Sequence, residues 1–160
     1  MDLSFLALEL STYQLYGLFF LLGSLLVSSA SDLKRMVAQS EFFEIWTIFT
    51  ATMFVLDFYP GIFSLDFSGG SFLKWGLILG VCVFSWSKTG IIFSVARMDV
   101  AAMAAVMSLL NPYSLVLFVV LLKVIDLVER PLLRSGDRYP FLPVVLTTVL
   151  IVLSTNLYFI

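Results

Sequence analysis

Long apolar runs separated by short polar stretches make up most of this chain. Twenty-two uncharged residues lie between Glu9 and Asp32, which is enough, at about 1.5 Å per residue, to cross a hydrocarbon core about 30 Å thick. The stretch 60–71, with the sequence PGIFSLDFSGGS, is rich in turn-forming residues and is predicted to be a loop. The pattern therefore predicts the first three membrane-spanning helices at residues 12–30, 42–59 and 72–86.

A further apolar stretch runs from residue 99 to residue 128. As one helix, its 30 residues would measure about 45 Å and would be longer than the bilayer core is thick. Asn111 and Pro112 lie near its middle, and proline disfavours helix in the residue before it. We therefore predict a fourth and a fifth span joined by a tight turn there, and a sixth span that follows Arg138 and reaches the end of the sequence.

Basic residues are distributed unevenly among the loops between these six spans. If the N-terminus lies outside, eight of the nine lysines and arginines fall on the inner side and only Lys74 falls outside, which is the bias expected of membrane proteins. Merging the fourth and fifth spans would move the basic cluster at 130–138 to the outside. Charge therefore favours six transmembrane helices with both the N-terminus and the C-terminus outside. The inner basic residues are Lys34, Arg35, Lys88, Arg97, Lys123, Arg130, Arg134 and Arg138.

The composition agrees with a membrane protein. Of the 160 residues, 61% are hydrophobic and 12% are charged, and the mean hydropathy is +1.06, which is far from the values of soluble domains. Asp2 and Glu9 precede the first apolar run without a basic residue, so we expect a retained span rather than a cleaved signal peptide. We predict an all-α, polytopic protein of the cell membrane with one membrane-embedded helical domain over residues 1–160. The lipid bilayer is an expected partner, and nucleic acid is not.

The residue types that are missing exclude several chemistries. The chain has no histidine and a single cysteine, Cys82, so it has no HExxH zinc site, no Ser-His or Cys-His pair and no intramolecular disulfide. We expect no metal and no cofactor. Among the intramembrane hydrolytic chemistries, carboxylate pairs and Ser-Lys arrangements remain.

Two aspartates lie at span ends on the inner side of the predicted topology. Asp32 closes the first span and Asp99 opens the fourth. Ala101 and Ala105 follow Asp99 at a spacing that lets helices approach closely. An aspartate at membrane depth costs about 2.5–3.5 kcal/mol on insertion scales, so a functional or paired role is expected. Two carboxylates close together share a proton, and such a pair can act as general base and general acid in peptide hydrolysis without a metal.

Each aspartate also has a structural interpretation. Asp32, with Lys34 and Arg35, would then be the interfacial end of the first span. Asp99 would form a local pair with Arg97 at a helix N-terminus, where the helix dipole favours an anion. The sequence leaves both interpretations open beside the catalytic one.

Three of the other acidic residues on the inner side are further candidates for a role at the site. Asp126 is a rival for the catalytic pair, but Lys123 and Arg130 lie three and four residues away on the same helix, which favours a structural ion pair. Glu41 and Glu44 mark the start of the second span.

Three short motifs resemble those of one family of membrane proteases. SDLKRMV at Ser31–Val37 is similar to the motif that carries the family's first aspartate, and ARMDVAAMAA at Ala96–Ala105 occupies the place of the second. YPFLPVVL at Tyr139–Leu146 resembles the Pro-Phe-x-Pro start of the family's last helix. The family is the type IV prepilin peptidases, in particular the compact archaeal preflagellin and prepilin peptidases. These are GxGD-type aspartic proteases, related in mechanism to the presenilin-type intramembrane proteases.

The resemblance covers essentially the whole chain and implies an activity. It implies an aspartic endopeptidase, with Asp32 and Asp99 as the catalytic pair, that removes the short basic leader of pilin-like or archaellin-like precursors at the cytoplasmic face. Glu41 and Glu44 are candidates for binding that leader. Bacterial members also methylate the new N-terminus and carry a cysteine-rich segment that this sequence lacks, so no N-methyltransferase activity is expected. The family's glycines before the second aspartate are replaced by Ala96, Arg97 and Met98, and a frequent lysine after it is replaced by Ala101.

Two functions of other classes remain open. In a small proton-coupled or cation transporter, Asp32 and Asp99 would relay protons or bind a cation. A non-catalytic assembly protein descended from the peptidase would bind the precursor without cleaving it. Loss of uptake or current in Asp-to-Asn variants would favour the first, and retained precursor binding without cleavage would favour the second.

Overall fold

The structure, a computed structural model, describes residues 10–35, 40–64, 69–86, 91–93, 95–133 and 139–158. Those residues form six α-helices and no strand, apart from an isolated bridge between Trp86 and Val95. The all-α prediction is therefore confirmed. In chain order the helices are α1 (Thr12–Arg35), α2 (Ser40–Ser64), α3 (Gly69–Ser85), α4 (Arg97–Leu109), α5 (Pro112–Leu133) and α6 (Leu142–Tyr158).

Two of these helices are long and apolar enough to cross a membrane. They are Thr12–Lys34 within α1 and Glu41–Tyr59 within α2. Gly69–Ser85 and Leu142–Thr155 are apolar but shorter. Large apolar side chains are exposed on α1, α2, α3 and α5, and in a membrane these would contact lipid rather than water. The described helices therefore indicate a membrane location.

The first helix is longer than the predicted span. It begins at Thr12, as predicted, and continues past residue 30 to Arg35. Leu33 and Lys34 are good helix formers, and basic residues are favourable in the last turn of a helix because they interact with its dipole. Asp32 therefore lies on the last helical turn, which fixes the direction of its side chain.

The second helix is also longer, and the loop predicted at 60–71 is wrong for most of its length. α2 continues through Pro60 to Ser64, and α3 already begins at Gly69. The remaining residues, 65–68, lie outside the described residues. A proline removes one N–H from the helical hydrogen-bond ladder, so a helix held by other contacts can continue through it.

Those contacts include a buried ion pair between α2 and α3 that the sequence analysis did not predict. Lys74 Nζ lies 2.7 Å from Asp57 Oδ2, and the Trp75 indole donates its Nε1–H to the same oxygen at 2.9 Å. Lys74 is 7% exposed, so the carboxylate is what makes its burial tolerable. This pair attaches the turn of α2 before Pro60 to α3.

The break between α4 and α5 occurs where the sequence predicts it. α4 ends at Leu109 and α5 begins at Pro112, where the missing N–H has no consequence because the first helical N–H groups have no partner in the helix. Asn111 caps α5, since its Oδ1 accepts the N–H of Ser114 at 2.8 Å. The prediction of two separate helices here is confirmed.

The fourth helix lies at the centre of the bundle. It packs against α1, α2, α3 and α6, and every residue from Val100 to Leu110 is buried. The buried cluster around it includes side chains from all six described helices. Small side chains on α4 let the surrounding helices approach closely. They are Ala101, Ala102, Ala104 and Ala105.

Candidate active site

The side chain of Asp32 faces the start of α6. It lies in the last turn of α1 and is 6% exposed. The N–H of Leu142, the first residue of α6, donates to Asp32 Oδ2 at 3.4 Å. A helix N-terminus has unpaired N–H groups and a partial positive charge, so it is a favourable neighbour for a carboxylate. This burial argues against the interpretation of Asp32 as an exposed interfacial residue.

Asp99 lies at the start of α4. Its Oδ2 accepts the N–H of Ala96 at 3.1 Å. Ala96 is the N-cap residue and has no side-chain acceptor of its own, so the carboxylate three residues later takes part in the capping. The pair with Arg97, which was the alternative interpretation of Asp99, is not found among the described contacts, because that guanidinium lies over the Trp86 ring, 5.4 Å from its centre.

The fold brings the two aspartates together, although they are 67 positions apart in the sequence. Asp32 is among the charged groups that act on the Asp99 carboxylate. α1 and α4 pack against each other, and both pack against α6. In each carboxylate, Oδ2 accepts a backbone N–H at a helix start, while Oδ1 has no hydrogen-bond partner among the described residues. One oxygen of each carboxylate therefore remains for proton transfer or for binding water or a peptide carbonyl.

Two serine hydroxyls lie about one helical turn before Asp32 on α1. Ser28 is 0% exposed and Ser29 is 3% exposed, and spacings of four and three residues place them on the same face as Asp32. Neither hydroxyl oxygen has a hydrogen-bond partner within the described part of the chain. Leaving a buried hydroxyl unpaired costs about 1–3 kcal/mol. The face of α1 that carries Asp32 is therefore polar where most of the core is apolar.

Asp126 belongs to a separate buried cluster. It is 2% exposed, its Oδ2 lies 3.0 Å from Arg130 Nη2, and its Oδ1 accepts the hydroxyl of Tyr139 at 2.9 Å. The predicted structural ion pair is therefore confirmed for Arg130. Lys123 makes a different contact, because its Nζ donates to the carbonyl of Ile92 at 2.6 Å. Both oxygens of this carboxylate are engaged by protein groups, unlike those of the two aspartates above.

An open cleft of about 180 Å³ lies beside the first turns of α4. Asp99 points to a different side of the helix, because the two-residue step from Arg97, which lines the cleft, is a rotation of about 200°. Glu41 and Glu44 are exposed in the first turns of α2, the helix that forms the other wall. The cleft is lined by Phe43, Thr47, Trp86, Arg97, Val100, Ala101 and Ala104.

Two contacts near the aspartates were missed by the sequence analysis. They are the hydrogen bond from the Leu142 N–H to Asp32 and the one from Tyr139 to Asp126. A backbone N–H has no side-chain signature, so the prolines that flank the start of α6 were the available indication of the first contact. The tyrosine directly before those prolines was the indication of the second.

No ligand set for a metal is found in the described part of the chain. There, no three Asp, Glu or Cys side chains lie together in a way that could hold an ion. The sequence matches no protein-family model, and the chain matches neither a curated protein nor a solved structure. Function is therefore inferred from the residues themselves.

Proposed function

We propose that this chain is a membrane aspartic endopeptidase with Asp32 and Asp99 as its catalytic pair. The observation that carries the proposal is that two carboxylates from different helices lie close enough for their charges to interact, each with one oxygen unpaired among the described residues. The carboxylates of Asp57 and Asp126 are different, because each pairs with a basic side chain. Interacting carboxylates in a poorly solvated place, without a basic partner, are typical of acid–base catalysis.

The proposed arrangement in the membrane has six spans with both termini outside. α1 and α2 have the length and apolarity for two of them, and the four other helices would complete the set. In this topology the end of α1 and the starts of α4 and α6 all lie on the inner side, where most basic residues of the sequence fall. The proposed site therefore faces the cytoplasm.

In the proposed reaction the two carboxylates share one proton. The ionised carboxylate takes a proton from a water molecule while the water oxygen attacks the carbonyl carbon of the scissile peptide. The protonated carboxyl donates a hydrogen bond to the carbonyl oxygen and stabilises its developing charge. The tetrahedral intermediate then collapses, the C–N bond breaks, and the leaving amine receives a proton from the pair.

The proposed substrate is a pilin-like or archaellin-like precursor with a short basic leader before an apolar helix. This substrate class rests on the resemblance of the motifs around Asp32 and Asp99. Glu41 and Glu44 are exposed at the start of α2, and in the proposal they attract the basic leader. Replacing both by lysine should raise KM several-fold at low salt, with less effect at high salt because ions screen exposed charges. An unchanged KM would remove these two residues from the proposal.

The decisive experiment is cleavage of a pilin-like precursor by the purified protein in detergent or liposomes. Asp32→Asn and Asp99→Asn should each lower kcat by at least about 100-fold, the lower end of what general acid–base catalysis contributes. Asp126→Asn should retain measurable cleavage, since that carboxylate is already engaged by Arg130 and Tyr139. Cleavage that survives either substitution in the pair, or that Asp126→Asn abolishes equally, contradicts the assignment.

The same experiment separates the proposal from the other functions. If the folded parent protein cleaves none of several precursors, the peptidase proposal fails. Uptake or current that depends on Asp32 and Asp99 would then indicate a transporter. Binding of the precursor without cleavage would indicate an assembly protein.

A further inference from the structure

Asp126, Arg130 and Tyr139 form a cluster at the inner end of α5. A contribution to stability does not by itself explain this cluster. Taking an ion pair out of water is costly, and replacing a buried pair by apolar side chains often stabilises a protein. The side chain of Asp126 is 2% exposed, whereas that of Arg130 is 40% exposed. The Tyr139 hydroxyl is the partner that reaches the buried carboxylate from another segment of the chain. The cluster therefore attaches the segment before α6 to α5.

Tyr139 is only three residues from the N–H that contacts Asp32. The intervening residues, Pro140 and Phe141, are buried, and the ring centre of Phe141 lies 6.3 Å from that of Tyr139. Leu142 then begins α6 and donates its N–H to the carboxylate. A short, buried segment with its first side chain fixed to α5 leaves the start of α6 little freedom to move.

The contact between Leu142 and Asp32 is sensitive to small displacements. Its donor–acceptor distance is 3.4 Å, beyond the range of about 2.7–3.2 Å in which most N–H···O bonds fall. A shift of a few tenths of an ångström outward would break this bond, and the same shift inward would strengthen it. Other contacts must therefore determine where α6 starts.

The fifth helix also holds the segment that precedes α4 and Asp99. Lys123 Nζ donates to the carbonyl of Ile92 at 2.6 Å and lies 5.0 Å from the centre of the Phe93 ring. Phe93 is 1% exposed, and its ring centre is 5.7 Å from that of Phe141. The segments that lead into α4 and α6 thus contact each other, and both are fixed to α5.

We infer that Asp126 and Tyr139 are positioning residues of the proposed active site. Their hydrogen bond fixes the start of α6 and with it the N–H of Leu142. That N–H in turn sets where the Asp32 carboxylate lies relative to Asp99. The inference rests on the proposed endopeptidase function and adds residues that do not touch the substrate.

The phenol of Tyr139 is suited to this role at neutral pH. Burial, together with the hydrogen bond to Asp126, raises the pKa of Tyr139 above its ordinary value. The hydroxyl therefore stays protonated and remains a hydrogen-bond donor. Arg130 lies over the same ring, 5.1 Å from its centre, and this contact does not need the hydroxyl.

The chain contains a matched control for this inference. Trp75 donates to Asp57 at 2.9 Å, and Asp57 pairs with Lys74, so each cluster has a carboxylate, a basic side chain and an aromatic donor. Of these two clusters, the one at Tyr139 is connected to Asp32 through described residues, by way of Leu142, and no such connection is described for the other. Tyr139→Phe and Trp75→Phe each remove one donor to a carboxylate and keep an aromatic ring.

The two variants should differ in their kinetics with the pilin-like precursor. Tyr139→Phe should lower kcat roughly tenfold, within the loss of up to about 100-fold that misplacing a catalytic group causes, and KM should change less than about twofold. Trp75→Phe should leave kcat unchanged. Adding Asp126→Ala to Tyr139→Phe should lower kcat little further than either change alone, because each change removes the same hydrogen bond. Amide hydrogen exchange at Leu142 should be faster in Tyr139→Phe only.

Several results would overturn the inference. The first is that Tyr139→Phe leaves kcat unchanged, and the second is that it leaves the exchange rate at Leu142 unchanged. The third is that Trp75→Phe lowers kcat as much as Tyr139→Phe does. The inference and the proposed function fail separately. If the parent protein cleaves no precursor, the endopeptidase proposal is wrong, and hydrogen exchange at Leu142 still decides whether Tyr139 fixes the start of α6.

Discussion

The ion pair between α2 and α3 provides a quantitative test of how the bundle is held together. The side chains of Lys74 and Asp57 are 9% and 14% exposed, so Asp57→Ala leaves an ammonium group with little access to water. It also leaves the indole N–H of Trp75 without its partner. Removing one partner of a buried ion pair costs about 3–5 kcal/mol. We expect Asp57→Ala to lower the free energy of unfolding by that amount, out of a total of about 5–15 kcal/mol.

Two related variants separate charge from hydrogen bonding. In Asp57→Asn the amide oxygen can still accept the Trp75 N–H, so the loss should be smaller, about 1.5–3 kcal/mol, which is the value of a hydrogen bond to a charged group. Asp57→Leu combined with Lys74→Met removes both charges. The unpaired indole then costs about 1–3 kcal/mol, and the removal of a buried pair returns a similar amount. The double variant should therefore be close to the parent in stability.

The assay is reversible unfolding in mixed micelles with an increasing fraction of sodium dodecyl sulfate. Tryptophan fluorescence follows the transition, and Trp75, one of three tryptophans, reports on the site itself. A loss below about 1 kcal/mol in Asp57→Ala, the value of an exposed surface pair, would refute the reasoning from burial. A double variant as unstable as Asp57→Ala would refute the reasoning from the unpaired charge.

Three further predictions concern packing and buried hydrogen bonds, with the same assay. Ser85 is 0% exposed and its hydroxyl has no partner among the described residues, so Ser85→Ala should leave stability unchanged or raise it by up to about 1–3 kcal/mol. Ala105 is 0% exposed, and Ala105→Leu should lower stability by about 1–3 kcal/mol through overpacking. Ala104→Leu extends into the cleft beside α4 and should cost less. Trp46 is buried and donates Nε1–H to Ser24 Oγ at 3.0 Å, so Ser24→Ala should cost about 1–3 kcal/mol and shift tryptophan emission.

Each of these predictions has a result that contradicts it. A clear loss of stability in Ser85→Ala would mean that its hydroxyl is paired in the folded protein. Equal losses in the two alanine variants would mean that the cleft beside α4 is not open to a larger side chain. Unchanged stability and emission in Ser24→Ala would mean that the Trp46 indole has another acceptor.

The helices could be predicted where the determining chemistry is local. The break at Asn111-Pro112 depends on a proline and on a side chain that caps the next helix, and both belong to the break itself. The end of α2 was predicted wrongly, because the helix continues through a proline and a glycine to Ser64. Those two residues are strong local indications of a turn. The contact that joins this part of α2 to α3 connects Asp57 with a lysine 17 positions later, and no local pattern contains it.

In the candidate site, too, features set by the local sequence could be predicted, whereas features set by tertiary packing could not. Asp32 and Asp99 could be proposed from the sequence because the apolar runs and basic loops predict that both lie at one side of the membrane. Their distance from each other depends on how α1, α4 and α6 pack, which the pattern of spans does not determine. Their partners are backbone N–H groups at helix starts, and every residue except proline has such a group. For Asp126, the basic residue four positions away was a sound local indication, because helical neighbours at that spacing face each other.

The shortness of α4 has a consequence for the depth of the proposed site in the membrane. Its 13 residues measure about 20 Å, which is less than the hydrocarbon core of about 30 Å. If α4 is embedded as proposed, its two ends cannot both reach the headgroups of an undisturbed bilayer. Because α4 is enclosed by other helices, at least one of its ends must then lie below the headgroups inside the protein, and in the proposal this is the polar end that carries Asp99. Peptide hydrolysis would then take place in a recess enclosed by the surrounding helices, and both water and the scissile peptide would have to pass below the headgroups to reach it.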